Sequence, residues 1–120
     1  MVNRSAVAGQ NAEQAAASFL ASRGLEILAR NYRSRWGEID IIAADNGEIV
    51  FVEVKYRRSS RFGRALASIT NNKKRKIGLT ALDFLSHHPH CEHNIRFDII
   101  TIEKKLTWIK GALSFDEANI

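Results

Sequence analysis

The 120-residue sequence predicts an α/β fold, in the order helix, three strands, helix, two strands, with helices flanking a mixed central sheet. Three observations carry this. Two stretches show helical spacing of apolar residues, an Asn-Gly pair separates two runs rich in Ile, Val and Phe, and Pro89 is the only proline. The length suits one domain over residues 1–120, and a composition 45% hydrophobic and 26% charged excludes global disorder.

Residues 6–23 are Ala-rich and read as a helix with Ala12, Ala15, Ala16, Phe19 and Leu20 on its apolar face. Gly24 occupies the place of a helix C-terminal glycine. Residues 25–32 read as a short strand. Residues 38–44 and 48–56 are the clearest strands, joined at Asp45-Asn46-Gly47, the strongest short-range hairpin signal. A loop is expected over residues 59–63. A second helix follows over residues 66–87, with Ile69, Lys73, Ile77, Ala81 and Leu85 on one ladder at i, i+4 spacing. Residues 97–102 and 106–110 supply two more strands around a Lys104-Lys105 turn, and the tail after Gly111 is left unassigned.

No apolar run exceeds four residues, too few to span a bilayer, so no membrane partner is expected. The single cysteine, Cys91, excludes an internal disulfide and agrees with a cytoplasmic setting. The net charge of +5 is unevenly placed. Between Lys55 and Lys76 lie nine basic residues (Lys55, Arg57, Arg58, Arg61, Arg64, Lys73, Lys74, Arg75, Lys76) and no acidic one, while the remainder sums to −4. Such a block suits a polyanion, or else is a solvated surface stretch.

A two-residue Asn46-Gly47 turn sets Asp45 opposite Glu48, and therefore Asp40 opposite Glu53 and Glu38 opposite Lys55. Alternation then puts Glu38, Asp40, Phe51, Glu53, Lys55 and Arg57 on one face, and Ile39, Ile41, Val50, Val52, Val54 and Tyr56 on a core face. Opposed carboxylates would stand ~4.5–5.5 Å apart, a liability that a divalent cation between them removes. Carboxylates, a metal and an adjacent lysine are what phosphodiester hydrolysis requires. The same charges also read as plain cross-strand ion pairs, Glu38 with Lys55 and Asp40 with Arg57.

Asp40 followed after twelve residues by Glu53-Val54-Lys55 resembles the D…ExK signature of the PD-(D/E)XK nuclease superfamily. Asn31-Tyr32-Arg33, Gly37-Glu38-Ile39-Asp40, the run Val50 to Lys55 with Arg57, and Arg96-Phe97-Asp98 resemble more narrowly the bacterial YraN family, which is similar to archaeal Holliday-junction resolvases. The resemblance implies a restriction endonuclease-like fold and a metal-dependent endonuclease acting on DNA, with branched DNA as one candidate substrate. It implies Asp40 and Glu53 as metal-binding carboxylates, Mg²⁺ or Mn²⁺ as the cofactor, Lys55 as the catalytic lysine, and Glu13 as the first-helix glutamate. Glu13 also borders the apolar face of its helix, three residues before Ala16. The family usually has Gly before this glutamate, where this chain has Ala12, which puts the position of Glu13 in question. For Glu38 three roles stay open: pairing with Lys55, tuning it, or holding an outer water.

Arg57, Arg58, Arg61 and Arg64 leave the strand that bears Lys55, and Lys73, Lys74, Arg75 and Lys76 open the second helix. Together they form the expected track for a DNA backbone, Lys73 aiming inward along the Ile77 ladder. His87, His88, His90, Cys91 and His93 match no Cys/His finger spacing and read as a loop. By analogy with resolvase-like enzymes, a homodimer is expected. Two alternatives remain: a DNA-binding module of the same fold with weak or no catalysis, and a structural protein whose charged face meets another protein.

Overall fold

The computed structural model describes residues 4–56, 70–89 and 94–113. Helix α1 (Arg4–Ser22) ends where expected, since Gly24 takes φ 90° and lets the chain fold back. Leu25 N–H then donates to the Leu20 carbonyl at 3.1 Å and Gly24 N–H to that of Ala21 at 3.0 Å, satisfying the last turn. Strands β1 (Glu26–Arg33), β2 (Glu38–Asp45) and β3 (Glu48–Tyr56) follow. Helix α2 (Asn71–His87) leads to β4 (Asn94–Ile102) and β5 (Leu106–Leu113). No helix among the described residues is long and apolar enough to cross a membrane.

The five strands lie in sequence order, antiparallel except for the parallel pair β3 and β4 that α2 connects. This is the mixed sheet expected. α2 starts later than its apolar ladder suggested. Thr70 is extended (φ −72°, ψ 164°) and its side chain accepts the Lys73 N–H at 3.1 Å, a cap that fixes the first turn at Asn71. The rest of the expected span, residues 66–69, lies outside the described residues, as do the 59–63 loop, Arg57, Arg58, Arg61, Arg64, His90, Cys91 and His93.

At the β2–β3 turn Asn46 and Gly47 both take positive φ (49° and 85°), the mirror-image turn that matches strand twist. The register runs as expected from Asp45 opposite Glu48 to Ile41 opposite Val52. There the ladder ends. Asp40 and Glu53 do not form the next pair; instead the Val54 N–H donates to Asp40 Oδ2 at 2.8 Å. The Asp40 side chain thus bonds β3 where the backbone pairing with β2 stops.

The assignment of faces needs correction. Ile41, Val50 and Val52 pack with Ala16, Ala17 and Leu20 beneath α1, but Ile39 joins Ile42, Phe51, Ile77 and Phe84 beneath α2. Ile39 and Ile41 thus lie on opposite sides although alternation puts them together. The face expected to carry Phe51 among charged residues is also core, since Phe51 is 1% exposed. β3 is covered on both sides, so its apolar residues run continuously from Ile49 to Val52.

Candidate active site

The break in β2 faces a second irregularity in β1. Asn31 takes φ 52°, a left-handed conformation that Asn tolerates better than most residues. Tyr32 pairs with Ile39 and Arg30 with Ile41, while Asn31 and Asp40 between them make no pair. In a regular strand, Arg30 and Asn31 would point to opposite faces. Here both reach α1: Arg30 Nη1 donates to Gln14 Oε1 at 2.7 Å, and the Asn31 amide meets Glu13.

Oriented to match donors with acceptors, the Asn31 side-chain nitrogen donates to Glu13 at 2.9 and 3.2 Å and to Glu38 Oε1 at 3.1 Å. Carboxylate oxygens of Glu13, Glu38 and Asp40 all lie within 4.8 Å of one another. Glu38 is therefore a member of the carboxylate cluster. It pairs with Arg33 at 2.9 Å, not with Lys55. Ala12 is buried at 5% exposure, and Glu13 beside it still reaches the cluster.

Glu53 stands on the other side of Asp40. Its partner is Lys55, at 3.8 Å, and both side chains are only 14% exposed. Burial, then the charge of Asp40 and a shared hydrogen bond with it, push the Glu53 carboxyl up to about 8 despite Lys55 and Lys73. Burial, then Asp40 and Glu38, push Glu13 up to about 7. Burial and neighbouring Lys73 lower the Lys55 ammonium. The carboxylates hold more negative charge in one place than their partners offset, and protons take up the excess.

Glu38, Asp40 and Glu53 open on a cavity of about 430 Å³. Gly37, Glu38, Asp40 and Glu53 form one wall, and Thr70, Asn72, Lys73, Lys76 and Ile77 the other. The β1–β2 loop sits against α2 through Ser34, whose Oγ lies 2.8 Å from Thr80 Oγ1. Lys73 joins the site as expected of a helix face shared with Ile77, Lys76 joins it without having been expected to aim inward, and Lys74 and Arg75 are not part of this wall. Sequence reasoning gave no role in the site to Asn31, Gly37, Thr70 or Asn72. Asn31 had one signal, an Asn inside a strand, where left-handed residues and bulges concentrate.

An all-oxygen set of carboxylates whose protonation is favoured first by burial and then by mutual repulsion fits a hard divalent cation, for which such a site supplies ligands and charge. At the opposite, turn end of the hairpin a second charged group serves the fold. Arg96 bonds Asp45 at 3.0 Å, Glu48 at 2.9 Å and Asp98 at 2.9 Å, and buried Asp98 also accepts from Trp108 Nε1 and Gly111 N–H, each at 2.9 Å. The Arg96-Phe97-Asp98 string thus ties β4 to the β2–β3 turn and to β5.

A family model described as "Uncharacterised protein family UPF0102" matches residues 12–102, a span that holds every group of the cleft. A UPF0102 protein of Coxiella burnetii (strain RSA 493 / Nine Mile phase I) is 41% identical over 111 residues, covering 90% of this chain and 92% of its own. One of Dechloromonas aromatica (strain RCB) is 46% identical over 110 residues, covering 91% and 90%. A third, of Nitrosomonas europaea, is 44% identical over 114 residues, covering 92% and 94%.

Proposed function

The chain belongs to the uncharacterised protein family UPF0102, and from its cleft we propose that it is a divalent-cation-dependent endonuclease hydrolysing phosphodiester bonds in DNA. The observation that carries this reading is the meeting of Glu13, Glu38 and Asp40, with Glu53 and its partner Lys55 beside them, at a cavity that Glu38, Asp40 and Glu53 line and whose other wall carries Lys73 and Lys76. Asp40, Glu13 and Glu53 would hold Mg²⁺ or Mn²⁺, with Glu38 as a further oxygen ligand or the holder of an outer water. When bound, the ion supplies an acidified water and neutralises charge growing on the phosphate. Lys55, paired with Glu53, orients the attacking water and steadies the charge that develops on oxygen. Asn31 and Arg33 hold Glu13 and Glu38 in place. The basic residues at the start of α2 receive the backbone, whose charge needs cancelling before carboxylates can approach it.

On this reading the enzyme works on cytoplasmic DNA, with branched structures as preferred substrates, and acts as a homodimer. The test is incubation of the full chain with branched and linear DNA in Mn²⁺. Cleavage is expected from the wild type, and none from Asp40→Ala or Glu53→Ala. Equal cleavage by all three proteins would reject the assignment.

A further inference from the structure

The basic residues that open α2 do not share one task. We propose that Lys73 grips the phosphate group lodged in the cleft, while its neighbours Lys74 and Arg75, which do not line the cleft, meet the flanking backbone. The inference rests on the nuclease reading only for the source of that phosphate, a nucleic-acid strand.

Three observations converge on Lys73. It sits one helical turn before Ile77 and two before Ala81, which are 7% and 0% exposed, so its stem follows the row of α2 that faces the sheet. The Thr70 side chain caps its own backbone N–H at 3.1 Å, which fixes where this turn begins. Its side chain lines the cavity that Glu38, Asp40 and Glu53 line from the other side.

The cleft is bipolar. Glu38, Asp40 and Glu53 form one wall and Lys73 and Lys76 the other, across about 430 Å³, a volume at the small end of ligand cavities. Lys73 comes from α2 and the carboxylates from the sheet, so the lysine faces them across the cavity. A phosphate carried by a divalent cation satisfies both walls at once, with its charge-bearing oxygens toward the lysines and its cation toward the carboxylates. Lys76 is exposed and guards the rim.

Inorganic phosphate is the probe. Its binding to the full-chain protein is measured by calorimetry with and without Mn²⁺, for the wild type, Lys73→Met, Lys73→Arg and, as a control in the β4–β5 turn, Lys104→Met. Thermal unfolding verifies that each variant folds, and Lys73→Gln replaces the Met variant if that does not. The expected result is a loss of about tenfold or more in phosphate affinity for Lys73→Met, as for a charge-assisted hydrogen bond, with Lys104→Met unchanged. Lys73→Arg recovers most of the affinity, and Mn²⁺ affinity of Lys73→Met stays within about threefold of wild type. Phosphate binding that is equal in wild type and Lys73→Met, or that is lacking in the wild type, overturns the proposal. Phosphate held through Lys73 without Mn²⁺-dependent cleavage supports it while rejecting the nuclease reading. Mn²⁺-dependent cleavage with phosphate binding indifferent to Lys73 does the reverse.

Discussion

Asn31 of β1 donates its side-chain amide to both oxygens of Glu13 of α1, at 2.9 and 3.2 Å, from a backbone held at φ 52°. The left-handed turn and the hydrogen bonds belong together: without the first, the amide would point to the α2 side of the sheet. Two variants separate them. Asn31→Ala keeps neither and loses about 1–2 kcal/mol from the left-handed backbone alone. Asn31→Gly relieves the backbone and removes only the amide, so stability stays nearer the wild type while Mn²⁺ affinity falls as Glu13 swings free. Denaturant unfolding and Mn²⁺ titration of the two variants check this; equal stability loss in both would show that φ at Asn31 carries no strain.

The carboxylates make the metal-free protein sensitive to pH. Glu13 and Glu53 are raised to about 7 and about 8 from an ordinary value of 4.5, so the folded protein keeps protons that the unfolded chain has released. Their contribution to stability is therefore full below about 4.5 and is lost as pH rises through 7 and 8. In chelator, the unfolding temperature falls between pH 5 and pH 8.5, and Glu53→Gln flattens the upper part of that fall. At pH 8 the variant gains on the order of 1 kcal/mol, or ~4 °C, over the wild type. Saturating Mn²⁺ raises the wild-type unfolding temperature more at pH 8 than at pH 6, because cation and proton compete for the same oxygens. A flat profile in chelator would contradict the crowding of charge around Asp40.

Removal of Arg96 damages the fold and spares the site. Arg96→Met strands Asp98, whose side chain is 0% exposed, and costs about 3–5 kcal/mol as a buried charge left without its partner. Molecules that remain folded bind Mn²⁺ as the wild type does, since the network lies at the turn end of the hairpin. A tenfold loss of Mn²⁺ affinity in folded Arg96→Met would link the two ends of the sheet.

Much of this was legible in the sequence for local reasons. The Asn46-Gly47 turn dictates its own geometry and with it the pairs from Asp45–Glu48 to Ile41–Val52. The end of that ladder was not legible, because the Asp40 side chain takes the Val54 N–H there, and Asn31, opposite Asp40, departs from the strand conformation that strict alternation assumes. Beyond this irregular stretch Ile39 lies on the α2 side, and Glu38 neighbours Glu13 in place of Lys55. Burial of β3 on both faces is written in its unbroken apolar run, which competes with a reading by alternation. The start of α2 was obscured by an apolar ladder running back to Ile69, whereas the Thr70 cap decides it. Lys73 was placed correctly because its inward aim follows from helical spacing alone.

The account stands on a divalent cation held between the carboxylates of the cleft. Crystals soaked in Mn²⁺ and measured at its absorption edge test that claim most directly. The account predicts an anomalous peak at about 2.1–2.2 Å from an Asp40 oxygen, shared with Glu13 or Glu53 and lost in Asp40→Asn. No peak there in the wild type, or one that survives Asp40→Asn unchanged, would contradict it.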